Sequence, residues 1–427
     1  MTPLQSVAVL LSFAALGGYI NHRVLRLPPA IGTTVTSAGF AILLLIGGHM
    51  GWLPLGHLAT LVREFDLQGV FLHGILSLML FAGALFVDAK ALKKWAAPIT
   101  SLVTLGVVLS MLATAGTLWL FAHALKFPIP FMWCLVFGAL IAPTDPIAAL
   151  AIVRQLGAPK PMVVKLVGES LFNDGTGVML FLLVLGTITM PLTAGHDPAS
   201  WAHLIGGALW EPVGGLLVGG ALGAIVLRAL VKVDHYPLEV LLTLALATGS
   251  YGLAEAIHGS APIAAVVAGL MIGTQGRNHA MSDKTREHLD TFWETLDELL
   301  NAALFALMGL ELLTMPLGVR EVALGILAWA CVMVGRFTGV VIPLLPFRKR
   351  TAPGTIPVLT WGGLRGGISL ALALSLPASP YTQTLVAVTF MVVMISAIGQ
   401  GLTLGHVVRK VTPVRHHEPT TEEGEQF

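Results

Sequence analysis

Charged side chains are scarce in this chain of 427 residues: Asp, Glu, Lys and Arg together make up 11% of it, where a soluble domain carries roughly 25%. That shortage excludes an ordinary water-soluble globule, and no stretch of the sequence resembles one. Cysteine is nearly missing too. Cys134 and Cys331 are the two present. Both lie inside apolar runs, so a disulfide framework is not expected and they read as small packing residues. Walker loops, Rossmann glycine patterns and zinc-ligand spacings are lacking, which leaves ATP and redox coupling without a basis. No cofactor is expected. The net charge of +1 gives no electrostatic reason for a nucleic-acid partner, and none is expected.

What the chain has in plenty is hydrophobicity. Aliphatic and aromatic residues with Cys make up 55% of it, gathered in runs of about 20 residues, enough to cross a ~30 Å hydrocarbon core as a helix. The runs fall at 6–22, 30–47, 69–88, 97–123, 129–152, 162–188, 204–230, 238–257, 260–275, 292–313, 321–346, 355–376 and 383–406. The expected fold is therefore all-α: a polytopic membrane domain of about thirteen helices over residues 1–410, in contact with lipid, and a short acidic, disordered tail at 411–427. With the N-terminus outside, nineteen of the 24 Lys and Arg residues fall in cytoplasmic segments, Lys165 among them; only Arg63, Lys126 and Arg320 fall outside. This bias follows the positive-inside rule and puts the C-terminus in the cytoplasm. The first run has no basic segment before it and is followed by Arg23, so it reads as a retained span rather than a cleaved signal.

Two of the runs are interrupted. Ala142-Pro143-Thr144-Asp145-Pro146 places two prolines and a carboxylate near the middle of the fifth, and each proline removes a backbone donor and clashes with the preceding turn. Trp361-Gly362-Gly363-Leu364-Arg365-Gly366-Gly367 interrupts the twelfth. Unwound backbone in a bilayer is tolerated only when buried in protein or lining a watery cavity. Paired interruptions in two halves point to a transporter of inverted repeats with its site at the midplane, and an offset of seven helices gives the repeats opposite orientation. If the two breaks cross, facing half-helix N-termini suit Asp145 and facing C-termini suit Arg365. Asp145 equally fits an ion path.

The sixth run carries Glu169-Ser170-Leu171-Phe172-Asn173-Asp174, two carboxylates and an amide held within hydrocarbon. At 100° per residue Glu169, Ser170, Asn173 and Asp174 form one broad stripe able to face the unwound part of the fifth helix. Asp174, Asn173, Ser170 and Thr144 then offer carboxylate, amide, hydroxyl and backbone oxygens, the ligands a hard monovalent cation requires. A carboxylate there can hold a cation or a proton, and a single site contested by the two is the minimal antiporter. Arg336 is a mid-membrane cation without a partner in its own helix, and it is expected to pair with Glu169 and hold the site together. Glu169 as an ion ligand is the other reading.

Pro143-Thr144-Asp145-Pro146, Gly168-Glu169-Ser170-Leu171-Phe172-Asn173-Asp174-Gly175, the Arg336 helix and Trp361-Gly362-Gly363-Leu364-Arg365-Gly366 together resemble the monovalent cation:proton antiporter-1 family, its bacterial NhaP and animal sodium/proton exchanger branch. The resemblance spans the whole membrane chain. It implies thirteen helices, with a dimerisation bundle (helices 1–3 and 7–10) beside a mobile core (helices 4–6 and 11–13), a homodimer, and a bacterial inner (plasma) membrane. It also implies that Asp174 binds cation and proton, that Ser170 and the Thr144 backbone are ligands, and that Glu169 and Arg336 are the stabilising pair. Asn173 matches the electroneutral branch, hence exchange of one Na+ or K+ for one proton; an electrogenic or K+-preferring antiporter is the alternative. The long cytosolic regulatory tail of many relatives is lacking, which puts control by a cytosolic partner in doubt.

Two rivals come from other classes. An aspartyl protease would use Asp145 and Asp174 as a dyad, but no Gly-Asp partner motif accompanies them. A passive channel needs a continuous pore with rings of ligands, whereas one titratable site at a helix break suits a carrier. The histidines, such as His22, His235 and His258, fall mostly in loops or near helix ends and read as solvated. Glu239, Glu255, Glu294, Asp297, Glu298 and Glu311 also fall near predicted helix ends and read as interfacial or as the rim of a funnel.

Overall fold

The computed structural model describes residues 3–50, 75–125, 129–145, 147–189, 198–276, 283–311 and 319–411. Regular structure there is helical, apart from one isolated antiparallel bridge between Asp145 and Leu364. We number the principal helices α1 (Pro3–Ile20), α2 (Pro29–His49), α3 (Leu76–Leu85), α4 (Ala96–Ala124), α5 (Phe131–Leu140), α6 (Ile147–Gln155), α7 (Lys160–Thr189), α8 (Pro198–Leu230), α9 (Tyr236–Ala256), α10 (Ala261–Met271), α11 (Asp283–Glu311), α12 (Val319–Leu344), α13 (Thr355–Trp361), α14 (Gly367–Leu374) and α15 (Thr382–Val411). Among the described residues eight helical stretches are long and apolar enough to cross a membrane, and three shorter apolar ones lie at Leu76–Leu85, Phe131–Leu140 and Ala261–Gly276. Large apolar side chains point outward along them, including Leu120, Leu209, Leu217 and Leu241, as a bilayer solvent requires. Residues 69–74 of the third predicted run and 412–427 of the tail lie outside the described residues.

The breaks come where the sequence removes helix donors or side chains. α5 ends at Leu140 and α6 begins at Ile147, with Pro143 between them lacking an N–H. α13 ends at Trp361 and α14 begins at Gly367, with glycine filling most of the interval. Tight packing around them comes from small residues, as bilayer helices demand. A Cβ on Gly106 of α4 would stand 2.5 Å from the carbonyl oxygen of Gly339 in α12, so these two helices touch backbone to backbone.

Contacts fall into groups. α4 runs along α12 and α5, α7 packs on α5, and α15 covers α12 and α14. α8, α9 and α10 pack on one another, α3 joins them through α10, and α11 lies on α1 and α2. The main core surrounds the two breaks, and a smaller cluster centres on Phe81, Leu246 and Trp293. Cys134 and Cys331 are buried free thiols.

One sequence expectation needs correction, and two charged residues are more deeply buried than their sequence neighbours suggest. Lys165, assigned to a cytoplasmic segment, is fully buried inside α7 with its ammonium 4.3 Å from the centre of the Trp95 ring. Its charge is met there by a cation–π contact. Glu239 lies in the first turn of α9, near a helix end as expected, and its side chain is buried there. Asp297 is not near a helix end: α11 starts at Asp283, one charged stretch earlier than the apolar run, and places Asp297 in mid-helix.

Candidate functional site

The two interrupted segments meet. The Asp145 amide donates to the Leu364 carbonyl at 2.8 Å, which joins the breaks as a short antiparallel bridge and supplies bonds that the helices forgo. Arg365, 2% exposed, reaches across: its Nη1 donates to the carbonyls of Ala142 (2.7 Å) and Pro143 (3.1 Å), and its backbone N–H donates to Ser396 Oγ at 3.0 Å. Those carbonyls lie just past the C-terminal end of α5, where the last carbonyls lack helical partners and the dipole is negative. Asp145 lies instead beside Gly366, at the N-terminal end of α14: a Cβ on Gly366 would come 2.8 Å from the Asp145 Cβ and 3.0 Å from its Oδ2. Each charge thus stands at the half-helix end of opposite sign. Overpacking at such a point costs about 1–3 kcal/mol, so Gly366→Ala is expected to displace Asp145 and to lower transport in reconstituted vesicles far more than it lowers the yield of folded protein.

α7 faces the unwound stretch with its polar stripe. Asn173 Nδ2 donates to the Ala142 carbonyl (3.0 Å) and to Thr144 Oγ1 (3.2 Å), and the Thr144 and Ser170 hydroxyls share a hydrogen bond of 3.2 Å. The Ala142 carbonyl therefore serves both Asn173 and Arg365. Thr144, Ser170 and Asn173 are each 1% exposed and Asp174 6%, and Asp174 Oδ1 and Asn173 Oδ1 are buried without a hydrogen-bond partner. Unsatisfied buried oxygens cost free energy unless something else meets them. Asp174, Ser170, Thr144 and Asp145 line one cavity of about 90 Å³, room for several waters, together with Gly366, Gly367 and Leu304.

Glu169 faces away from this cavity and is buried against α12. Its Oε2 accepts from Arg336 Nη2 at 2.8 Å, and its Oε1 accepts from Arg336 Nη1. The same guanidinium donates from Nε (3.1 Å) and Nη2 (2.8 Å) to the carbonyl of Leu359 in the last turn of α13. Arg336 so ties α7, α12 and α13 together. The structure thus brings Thr144, Asp145, Ser170, Asn173, Asp174 and Arg365 around one crossing and sets Glu169 with Arg336 behind it.

Sequence reasoning passed over three contributors. Gln400, 2% exposed, donates from Nε2 to the Trp361 carbonyl (3.0 Å) and accepts at Oε1 from Trp329 Nε1 (3.2 Å), which caps the end of α13. Ser396 meets the Arg365 amide. Both are uncharged residues in an apolar helix and carry no short-range signal. Asp297 was named, but as an interfacial acid; it lines the same cavity as Asp174.

Two interrupted helices crossing at buried, convergent polar groups define a secondary membrane transporter. Comparison with known proteins gives the family: the chain matches the sodium/hydrogen exchanger, transmembrane family over residues 10–410 and belongs to it. It is 42% identical over 415 residues to the Na(+)/H(+) antiporter NhaP of Pseudomonas aeruginosa, covering 96% of this chain and 97% of that one. It is 39% identical over 288 residues to the Na(+)/H(+) antiporter NhaH of Halobacillus aidingensis, covering 66% of this chain and 70% of that one. The fold matches the sodium proton antiporter MjNhaP1 of Methanocaldococcus jannaschii with a TM-score of 0.74 at 19% identity, over 96% of this chain and 98% of that one.

Proposed function

We propose that this protein exchanges Na+ for a proton across the membrane by alternating access, with both ions competing for Asp174. The observation that carries this reading is the unpartnered, buried Oδ1 of Asp174 in a cavity where two helices are broken. A cation would take up that oxygen together with the Ser170 hydroxyl and oxygens of Thr144; a proton would neutralise it instead. An empty, charged Asp174 crosses poorly because a bare carboxylate facing a low-dielectric barrier is costly, and this couples the two fluxes. Sodium as the cargo is supported by the names of the relatives. Proton competition makes transport fall at acid pH. Exchange in proteoliposomes tests the whole reading, and the lack of any sodium-driven pH change would overturn it.

Asn173 supports electroneutral exchange of one cation for one proton. Its amide donates to the Ala142 carbonyl, a role that a carboxylate fills only when protonated, so it adds no second charge to the cavity. Wild-type exchange should ignore a clamped membrane voltage, whereas Asn173→Asp should acquire voltage sensitivity. A voltage-driven pH change in the wild type would remove the electroneutral reading.

The contact groups support a division into helices α4–α7 with α12–α15 and helices α1–α3 with α8–α11; by family resemblance the first is read as the mobile core and the second as the dimerising bundle. Counting α5 with α6 and α13 with α14 as broken spans gives thirteen helical units among the described residues, which supports thirteen crossings and inverted repeats; on the charge bias of the loops the N-terminus is placed outside and the C-terminus in the cytoplasm, with the bacterial plasma membrane as the site. Arg365 and Asp145 serve as counter-charges to the half-helix ends, and Glu169 with Arg336 as the brace behind them.

A further inference from the structure

Besides Asp145 and Asp174, a third carboxylate lines the cavity. Asp297 projects from α11, on the wall opposite α7. On the grouping above, α11 belongs to the bundle, while Asp145 and Asp174 belong to the core. Asp297 and Asp145 are half-buried, while Asp174 is 6% exposed, so the acids grade from a partly wet position to a dry one. No Lys or Arg is among the residues lining this cavity, and Asp297 forms no ion pair with a described residue. Asn301, one turn further on, gives its Nδ2 to the Asp297 backbone carbonyl at 2.8 Å, and that bond brings no positive charge to the carboxylate. A carboxylate kept without a counter-ion beside a mainly apolar cavity is costly unless a proton or a mobile cation meets it. The buried, unpartnered Oδ1 of Asp174 in the same cavity gives that cation a destination. Among the described residues no three acidic or imidazole side chains form one metal-holding group. The arrangement suits a cation handed from one carboxylate to the next rather than one held by all three.

We propose that Asp297 is a second monovalent-cation site on the α11 wall, which takes the hydrated ion from the water-facing side of the cavity and passes it to Asp174. This rests on the antiport reading given above for Asp174. A role for Asp297 on the bundle wall has a further consequence: movement of the core would separate the two acids, so Asp297 serves loading in one of the two access states only.

The test is sodium/proton exchange in proteoliposomes of fixed orientation, with sodium offered in turn from each side. Asp297→Asn should raise the apparent KM for sodium from one side about tenfold, the loss of one charged partner at about 1.4 kcal/mol, with a smaller fall in the maximal rate. Asp297→Glu should recover most of that KM. An unchanged KM from both sides, or a rise that Glu does not rescue, would overturn the proposal. Should either variant reconstitute poorly, sodium-dependent thermal stabilisation of the detergent-purified protein supplies the same readout: a higher half-maximal sodium concentration for Asp297→Asn supports the site and an unaltered one removes it. Asp174→Asn is run alongside. Full exchange in that variant would remove the antiport reading itself, an outcome separable from any result at Asp297.

Discussion

Asp174→Asn should reduce sodium-driven proton flux to that of protein-free vesicles while the purified protein keeps its wild-type elution profile and thermal stability. The two halves of this expectation have different physical sources. Transport fails because the substituted amide can neither take up a proton nor offset the charge of a cation, so neither half of the cycle has a carrier. Folding survives because Asp174 is not part of the bracing around it. Its Oδ1 is buried with no hydrogen-bond partner, whereas Asn173 holds the Ala142 carbonyl, Arg365 holds the same carbonyl from the other break, and Glu169 holds Arg336. Relieving a buried, uncompensated carboxylate is neutral or stabilising by the usual desolvation account. A raised melting temperature with abolished exchange would therefore be the strongest form of the result, and retained exchange would defeat the assignment.

The parts of the site legible in the sequence are those that break a local rule. Pro143 and the glycines of 362–367 interrupt otherwise apolar runs, so the helix breaks at Leu140 and Trp361 could be placed within a few residues. Arg336 stood out as a cation in mid-membrane without a partner in its own helix, and Glu169 read either as its partner or as an ion ligand; the structure puts the two in contact. Arg365 and Asp145 were legible in sign, since each suits one kind of helix end, but which carbonyls Arg365 would meet depended on how the segments cross. The burial of Lys165 was not legible because the Trp95 ring that covers it lies far away in sequence. Asp297 was misread for a different reason. The apolar run begins at 292, yet the helix begins at Asp283, because charged turns extend past the hydrocarbon without ending the helix. Gln400 and Ser396 break no rule at all, and only tertiary contact gives them a task.

Replacing Arg336 should cost the protein its fold before its activity. Removing one member of a buried, hydrogen-bonded ion pair typically costs about 3–5 kcal/mol, because the other charge stays buried without compensation. Arg336→Leu should accordingly lower the melting temperature and membrane yield sharply, although Glu169 can neutralise itself by taking a proton. Glu169→Leu should be worse, since a guanidinium cannot shed its charge. The charge-reversed double variant, Glu169→Arg with Arg336→Glu, separates a simple Coulomb pair from what the geometry shows. Arg336 also donates twice to the Leu359 carbonyl, near the C-terminal end of α13, where helical partners run out. A glutamate at 336 has no such donors when ionised and would turn a negative oxygen toward that carbonyl. The swapped protein should therefore remain unstable even with opposite charges restored, and full recovery of thermal stability in the swap would show that the link to Leu359 carries little of the load.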